Sequence, residues 1–413
     1  MRVIKIYTQP RVLLVFLLGI LSGLPLALTT ATMSIWLTEV GISKAAIGFF
    51  AIVGTPYALK FLWAPLVDHL TLPLIGNLGR RKSWLLFSQL ALVLALLGMA
   101  AVSPALHTGL FALLALCVAL ASATQDIVID AYRVEVLTPE EQGQGSAASV
   151  SGYRIGMLFS GAGALFMAEV LPWSVVYMIM AVLVVLGGIV LLFCSEPKAM
   201  ERKAHHSMEE WMRMAVFDPF RDFTTHHGWW LILLFVMTFR LGDALAGVML
   251  GKFQIDLGFT KTTIATITKV YGFAATLLGS FLGGLLIARI RLFPALLICG
   301  ILQMFANSLL IVLATKGASE LWLTLAITAE NLCGGMVLTA FVAYLSSLCR
   351  VQYTATQYAL LTSLSAVGRT WLSAGSGILA QSLGWVGFFV FTTLAALPGL
   401  ILLVILSRYA KSR

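Results

Sequence analysis

Residues 123–133, ATQDIVIDAYR, close a long apolar run and yet carry Gln125, Asp126, Asp130 and Arg133. On a helix, positions 126 and 130 are i,i+4 neighbours, and Arg133 joins their face. A charge in hydrocarbon costs ~2.5 to 3.5 kcal/mol on insertion scales, so such a cluster persists only against other helices or along a water-filled path. Two carboxylates one turn apart repel when both are ionised, which favours a proton on one of them and makes Asp126 and Asp130 candidate proton carriers. Glu330, in mid-segment ahead of Cys333, Gly334 and Gly335, is an equal candidate. The competing reading is an ion pair that only fixes helix packing. The other charges embedded in apolar sequence are Lys60, Arg154, Arg240, Asp243, Lys269 and Arg369. Five cations against four acids suit an anionic substrate, and planar guanidiniums at 154 and 369 suit carboxylates or phosphates. Arg240 and Asp243, three residues apart, are equally read as a simple pair.

These residues need elements that span a bilayer. Of the 413 residues 60% are hydrophobic and only 11% charged, and the mean hydropathy is +0.95, which defines a polytopic, all-α integral membrane protein. The net charge of +9 then belongs to loops facing anionic headgroups and does not imply nucleic acid. The five cysteines, Cys117, Cys194, Cys299, Cys333 and Cys349, show no ligand spacing, so neither a disulfide nor a metal site is expected. The opening apolar run is too long for a signal peptide and lacks a cleavage site. Spans are expected at 11–37, 46–67, 83–102, 109–133, 144–168 and 174–194, then at 229–254, 262–288, 293–314, 321–347, 355–382 and 385–406. Eighteen of the 27 Lys and Arg fall in the termini and the even-to-odd loops, against Lys44, Lys261 and Lys316 opposite, which places both termini in the cytosol. Lys252, near a helix end, can snorkel.

The chain repeats itself. GISKAAI at Gly41 returns as GFTKTTI at Gly258, and Gln142 with Arg154 returns as Gln357 with Arg369, at offsets of 217 and 215. Residues 1–194 and 229–413 are therefore parallel six-helix halves, the layout of major-facilitator transporters. Helices 3, 6, 9 and 12 as drawn contain no Asp, Glu, Lys or Arg, which fits outer supports around a polar central path. Between the halves, 195–228 forms a polar linker in which Met208, Trp211, Met212 and Phe217 alternate with charges, an amphipathic helix on the membrane surface. The pairs His205-His206 and His226-His227 point to different sides of a helix and make no metal site. Breakers at Gly23-Leu24-Pro25, Gly54-Thr55-Pro56 and Gly334-Gly335 imply kinks or close packing inside spans. An acidic end to helix 2, residues 64–68, and the basic run Gly79-Arg80-Arg81-Lys82 look like a split form of the major-facilitator loop motif.

Six blocks in order, SGLPLALT at 22, LKFLWAPLVD at 59, SATQDIVIDAYR at 122, GYRIGM at 152, ENLCGGM at 330 and TATQYALL at 354, resemble the AmpG family of muropeptide permeases. The resemblance covers essentially the whole chain. It implies import of N-acetylglucosaminyl-1,6-anhydro-N-acetylmuramyl peptides across the Gram-negative inner membrane, driven by the proton gradient without a cofactor, by a monomer. In that reading Lys60, Arg154, Lys269 and Arg369 meet the peptide part, Trp36, Gln125, Tyr153 and Asn331 hold the sugars, and Arg240 and Asp243 complete the candidate substrate-binding set. Some members carry two further C-terminal helices, whereas this chain stops after the twelfth. Related permeases move acetyl-CoA or siderophores, and a membrane enzyme on lipid-linked sugars is the alternative of a different class.

Overall fold

The computed structural model describes residues 7–42, 50–73, 75–190, 217–225, 228–373 and 375–411, and every regular element among them is helical. The first half comprises α1 (Pro10–Glu39), α2 (residues 50–69), α3 (Arg80–Ala101), α4 (Thr108–Val136), α5 (residues 142–168) and α6 (Trp173–Val190). The second comprises α7 (Trp229–Asp256), α8 (residues 261–290), α9 (Leu292–Lys316), α10 (Glu320–Leu348), α11 (residues 354–383, apart from 374) and α12 (residues 385–411). The chain turns from α11 into α12 at Gly384, whose φ of +64° an L side chain rarely adopts. Of the linker, residues 217–225 and 228 are described, with a short helix at Asp218–Thr224. The stretch with Met208, Trp211 and Met212 and the four paired histidines lie outside the described residues, as do Lys44 and Cys194.

Nine helices among the described residues are long and apolar enough to cross a membrane. The crossings that do not qualify as single apolar helices, α2, α5 and α11, all meet the other half, and α8, which does qualify, is also irregular. α2 is broken into Phe50–Gly54, Thr55–Leu59, Lys60–Leu62 and Ala64–His69, with Pro56 and Pro65 each near the start of a new piece. α5 is rich in Gly and Ser and passes through a π-helical stretch, Phe159–Gly163; α8 holds another at Ala265–Tyr271. α11 opens on Thr354, Thr356 and Gln357 and breaks at residues 373–375. A polar or broken helix is costly against lipid, so these segments are tolerable only where protein or water covers them.

Each half has its own core. In the first, Trp36, Phe111, Trp173 and Tyr177 pack with Leu28 and Leu96; in the second, Phe235, Phe239, Phe341 and Tyr344 pack with Leu296 and Leu403. The halves meet toward the end that carries the 2–3, 4–5, 8–9 and 10–11 connections. There α5 crosses α8 so closely that a Cβ on Gly284 would stand 2.9 Å from the Ala147 methyl, and one on Gly143 would stand 2.9 Å from Ile287 Cγ2. Ahead of α1, Tyr7 donates to the Phe281 carbonyl at 3.0 Å and packs its ring on that of Phe281, 4.7 Å away.

Candidate functional site

At that joined end the charges are buried and satisfied. Arg81, at the start of α3, is 0% exposed; it donates to Asp68 Oδ1 at 2.9 Å and grips both oxygens of Glu135, at the end of α4. Asp68 in turn accepts from the backbone N–H of Ala355 (3.2 Å) and Thr356 (2.7 Å) and from the Thr356 hydroxyl (2.8 Å). The acid of the first half thus caps the first turn of α11 in the second, where free N–H groups favour a carboxylate. The split loop motif is reassembled in space: the residues between 69 and 79 fold back through a short turn at Gly76–Leu78, and Arg80 donates to the Asp68 carbonyl. Gln357 donates to Asp222 at 3.0 Å and to the Pro219 carbonyl at 3.2 Å, and Gln142 donates to the carbonyls of Val134 and Leu137. The repeated glutamines therefore fasten connections between helices.

One turn deeper, the ATQDIVIDAYR stretch is helical within α4. Asp126 accepts from Ser22 Oγ of α1, and Asp130 lies 3.7 Å from both Lys60 Nζ and Arg133 Nη2. Arg133 is fully buried and reaches across the seam, donating to Ser346 Oγ of α10 at 2.9 Å and lying 5.1 Å from the centroid of the Tyr358 ring of α11. The sequence marked Arg133 only as a neighbour of the two acids. Besides Asp130 and Ser146, which are near in sequence, it meets Ser346 and Tyr358 from more than 200 residues away, and no local spacing announces those two.

Beyond the midplane the picture changes. A cavity of about 770 Å³ is lined by Arg240, Asp243, Gly247 and Met249 of α7 and by Arg369 and Ser376 of α11. Arg240 Nε stands 3.9 Å from Asp243 Oδ2, too far for a hydrogen bond, and has no hydrogen-bond partner. Arg154 Nε and Glu330 Oε2 are likewise buried without one. Arg154, Arg240 and Arg369 repel one another through this space, and Asp243 is the carboxylate that acts on Arg240. Three guanidiniums around one carboxylate form a region waiting for negative charge. The other oxygen of Asp243 accepts from Asn307 Nδ2 at 3.4 Å, and Gln303, also on α9, donates to Asn307. An expectation is corrected here: α9 carries no Asp, Glu, Lys or Arg before Lys316, yet it is not an inert support, because its amides reach the polar centre. A search restricted to charges misses them.

The other expected residues divide. Tyr153 is half-buried between the two groups, in the field of Asp126 and of Arg154. Gln125 is 0% exposed and donates its NH2 to the Leu21 carbonyl at 3.1 Å, tying α4 to α1, while its Oε1 is buried without a hydrogen-bond partner. Asn331 accepts from Thr276 at 3.1 Å and donates to the Ile327 carbonyl, tying α10 to α8. Trp36 is placed elsewhere altogether, 5% exposed in the core of the first half, 5.8 Å from the Trp173 ring and nearly parallel to it. Its aromatic face is already covered, which leaves none for a sugar. Lys269 lies on the π-helical stretch of α8, and its side chain is outside the described structure. Lys252 pairs with Asp256 at 3.0 Å, exposed at the helix end.

Comparison with known proteins adds the family. Residues 15–241 match the Major Facilitator Superfamily model. The chain is 42% identical over 404 residues to the anhydromuropeptide permease of Escherichia coli (strain K12), covering 97% of this chain and 81% of that one. It is 39% identical over 410 residues to the putative transporter AmpG 4 of Rickettsia conorii, covering 98% and 99%. Among solved structures it resembles the fucose:proton symporter of E. coli with a TM-score of 0.72 over 97% of this chain and 98% of that one, at 13% identity, a likeness of fold.

Proposed function

Because the chain belongs to the major facilitator superfamily, within its AmpG-type muropeptide permeases, and is a multi-pass membrane transporter rather than an enzyme, we propose that it imports anhydro-muropeptides into the cytosol in symport with protons. The observation that carries this reading is the convergence of Arg154, Arg240 and Arg369 on the central path with so little compensating acid. A muropeptide brings peptide carboxylates, and a cavity of about 770 Å³ is in the upper part of the range for small-ligand sites. The cavity lies beyond the seam that Asp68, Arg81, Arg133 and Gly284 keep closed. With the seam cytosolic, as the Lys and Arg distribution has it, this arrangement faces the periplasm and is ready to load. Asp126, Asp130 and Glu330 are the groups available to carry the proton, and Lys60, Tyr153 and Asp243 border the route.

The test is uptake of labelled GlcNAc-1,6-anhydroMurNAc-tripeptide into proteoliposomes. An inward-directed proton gradient should drive accumulation that a protonophore abolishes. Accumulation unchanged by the protonophore would refute symport. Displacement of the label by acetyl-CoA at lower concentration than by unlabelled muropeptide would refute the substrate.

A further inference from the structure

Arg81 and Arg133 are both shut from solvent in the closed seam, yet they are spent to different degrees. Arg81 gives Nε, Nη1 and Nη2 to Glu135, the Val67 carbonyl and Asp68. Arg133 uses only Nη1, which donates to Ser146 Oγ of α5 at 3.3 Å and to Ser346 Oγ of α10 at 2.9 Å. Its Nε and Nη2 have no hydrogen-bond partner, and they form the edge of a guanidinium that takes a carboxylate through two parallel hydrogen bonds. Its ion-pair partner Asp130 stands 3.7 Å from Nη2, too far to close, and is equally far from Lys60 Nζ of α2. Two cations thus share one acid, and the bidentate edge of Arg133 is left empty.

The side chain of Asp130 is 24% exposed and that of Arg133 0%, so solvent ends between them, one turn of α4 apart. Over Arg133 lie two groups of the second half, the Ser346 hydroxyl and the Tyr358 ring, whose centroid is 5.1 Å away. Lys60, Asp130 and Ser146 belong to the first half and stay with Arg133 when the halves part. Opening the seam therefore removes Ser346 and Tyr358 together and bares the guanidinium toward the cytosol. Resting on the transport reading above, we propose that Arg133, with Lys60 and the Ser146 hydroxyl, is a second carboxylate-binding station that exists only in the open seam and receives a carboxylate of the departing cargo on its Nε–Nη2 edge. A buried fork left half empty weakens the closed protein, because unmade hydrogen bonds of a charged group are expensive. A latch has no use for that cost, and Arg81 carries none of it. Passage of an anion past a strong site is helped by a further, weaker site beyond it. Asp130 beside the fork supplies the weakness, since it opposes any carboxylate that settles there.

Membrane vesicles holding the full-length protein, prepared right-side-out and inverted, allow labelled GlcNAc-1,6-anhydroMurNAc-tripeptide to be offered to either face. The half-saturation concentration of exchange is read on each. Arg133→Gln should raise the cytosolic value relative to the periplasmic one about 10- to 100-fold, the worth of a hydrogen bond to a charged group. Arg133→Lys, which keeps the charge and loses the fork, should raise that ratio by less. A ratio that stays at the wild-type value, because both faces shift equally or neither shifts, overturns the inference and leaves the transport reading intact. Wild-type protein without saturable muropeptide exchange at either face removes the reading itself. If the variants do not fold, the wild type decides through chemical modification in inverted vesicles. There the arginine reagent hydroxyphenylglyoxal should modify Arg133, read by peptide mass spectrometry, and unlabelled muropeptide should slow that modification severalfold. An Arg133 that is never modified, or whose modification the muropeptide does not slow, refutes the station.

Discussion

Two clusters of charge lie within the same bundle and behave as opposites. Around Arg81 every charge has its complement at hydrogen-bond distance: Asp68, Glu135 and the first N–H groups of α11 use one another up. Around Arg240 almost nothing closes, and Nε of Arg154, Nε of Arg240 and Oε2 of Glu330 are left without partners. The first cluster has no capacity for a ligand and holds two halves together. The second stabilises the empty protein poorly and has its donors free. The first cluster is shut off from solvent, with the Arg81 and Asp68 side chains 1% and 0% exposed, whereas Arg240 and Asp243 keep 18% each; partial access together with unspent hydrogen-bonding capacity marks the second as the binding region.

The contrast can be broken most severely at Arg81. Arg81→Ala leaves Asp68 and Glu135 buried without their cation, a loss of the kind that costs about 3 to 5 kcal/mol. The expected outcome is a large fall in melting temperature in detergent and poor insertion, read by fluorescence-detected gel filtration; a variant as stable as wild type would mean that the cluster is not a latch. Next comes Arg369→Ala, where the opposite pattern is expected. Loss of a charged hydrogen bond to ligand, about 1.5 to 3 kcal/mol, weakens muropeptide binding roughly 10- to 100-fold, while the melting temperature stays or rises because a repelling guanidinium has gone. A melting temperature that falls with unchanged affinity would make Arg369 a structural residue. The smallest effect is at Gly284→Val, which forces methyls against Ala147 and Tyr7 and costs ~1 to 3 kcal/mol of seam packing. Labelling of the native Cys349, beside the end of α10, by a membrane-permeant maleimide should quicken severalfold as the seam parts. Unaltered labelling with normal expression would show that the seam does not govern access at that end.

How much of this was legible beforehand depends on the range of the interactions. The twelve crossings follow from hydropathy and the pairing of halves from the repeated Gln and Arg, because both are local patterns. Even the split loop motif showed its parts, Asp68 and Arg81, thirteen residues apart. The charged residues of the cavity were legible because a charge in an apolar run must be accounted for. What could not be read was which polar groups are already spent. Gln125 and Asn331 looked wholly available, but the NH2 of Gln125 is taken by the Leu21 carbonyl, leaving only its buried oxygen unpaired, and the Asn331 oxygen is taken by the Thr276 hydroxyl. Trp36 looked like a stacking surface until Trp173 proved to cover it. Gln303 and Asn307 drew no attention because they bear no charge. Each error has one origin, that side-chain availability is a property of packing between helices far apart in sequence.

Tyr7 has a practical consequence. The residue stands ahead of the first helix, yet its hydroxyl and ring are fastened to Phe281 in the opposite half, so Tyr7 straps the start of α1 across the joint. Anything fused before it hangs from the moving joint itself. An affinity tag or fluorescent protein attached there would load one conformation against the other, whereas the same label after α12 is borne by one half alone. Turned to use, a small environment-sensitive dye just ahead of Tyr7 would brighten or dim with each opening of the joint and would time the transport cycle without touching the cavity.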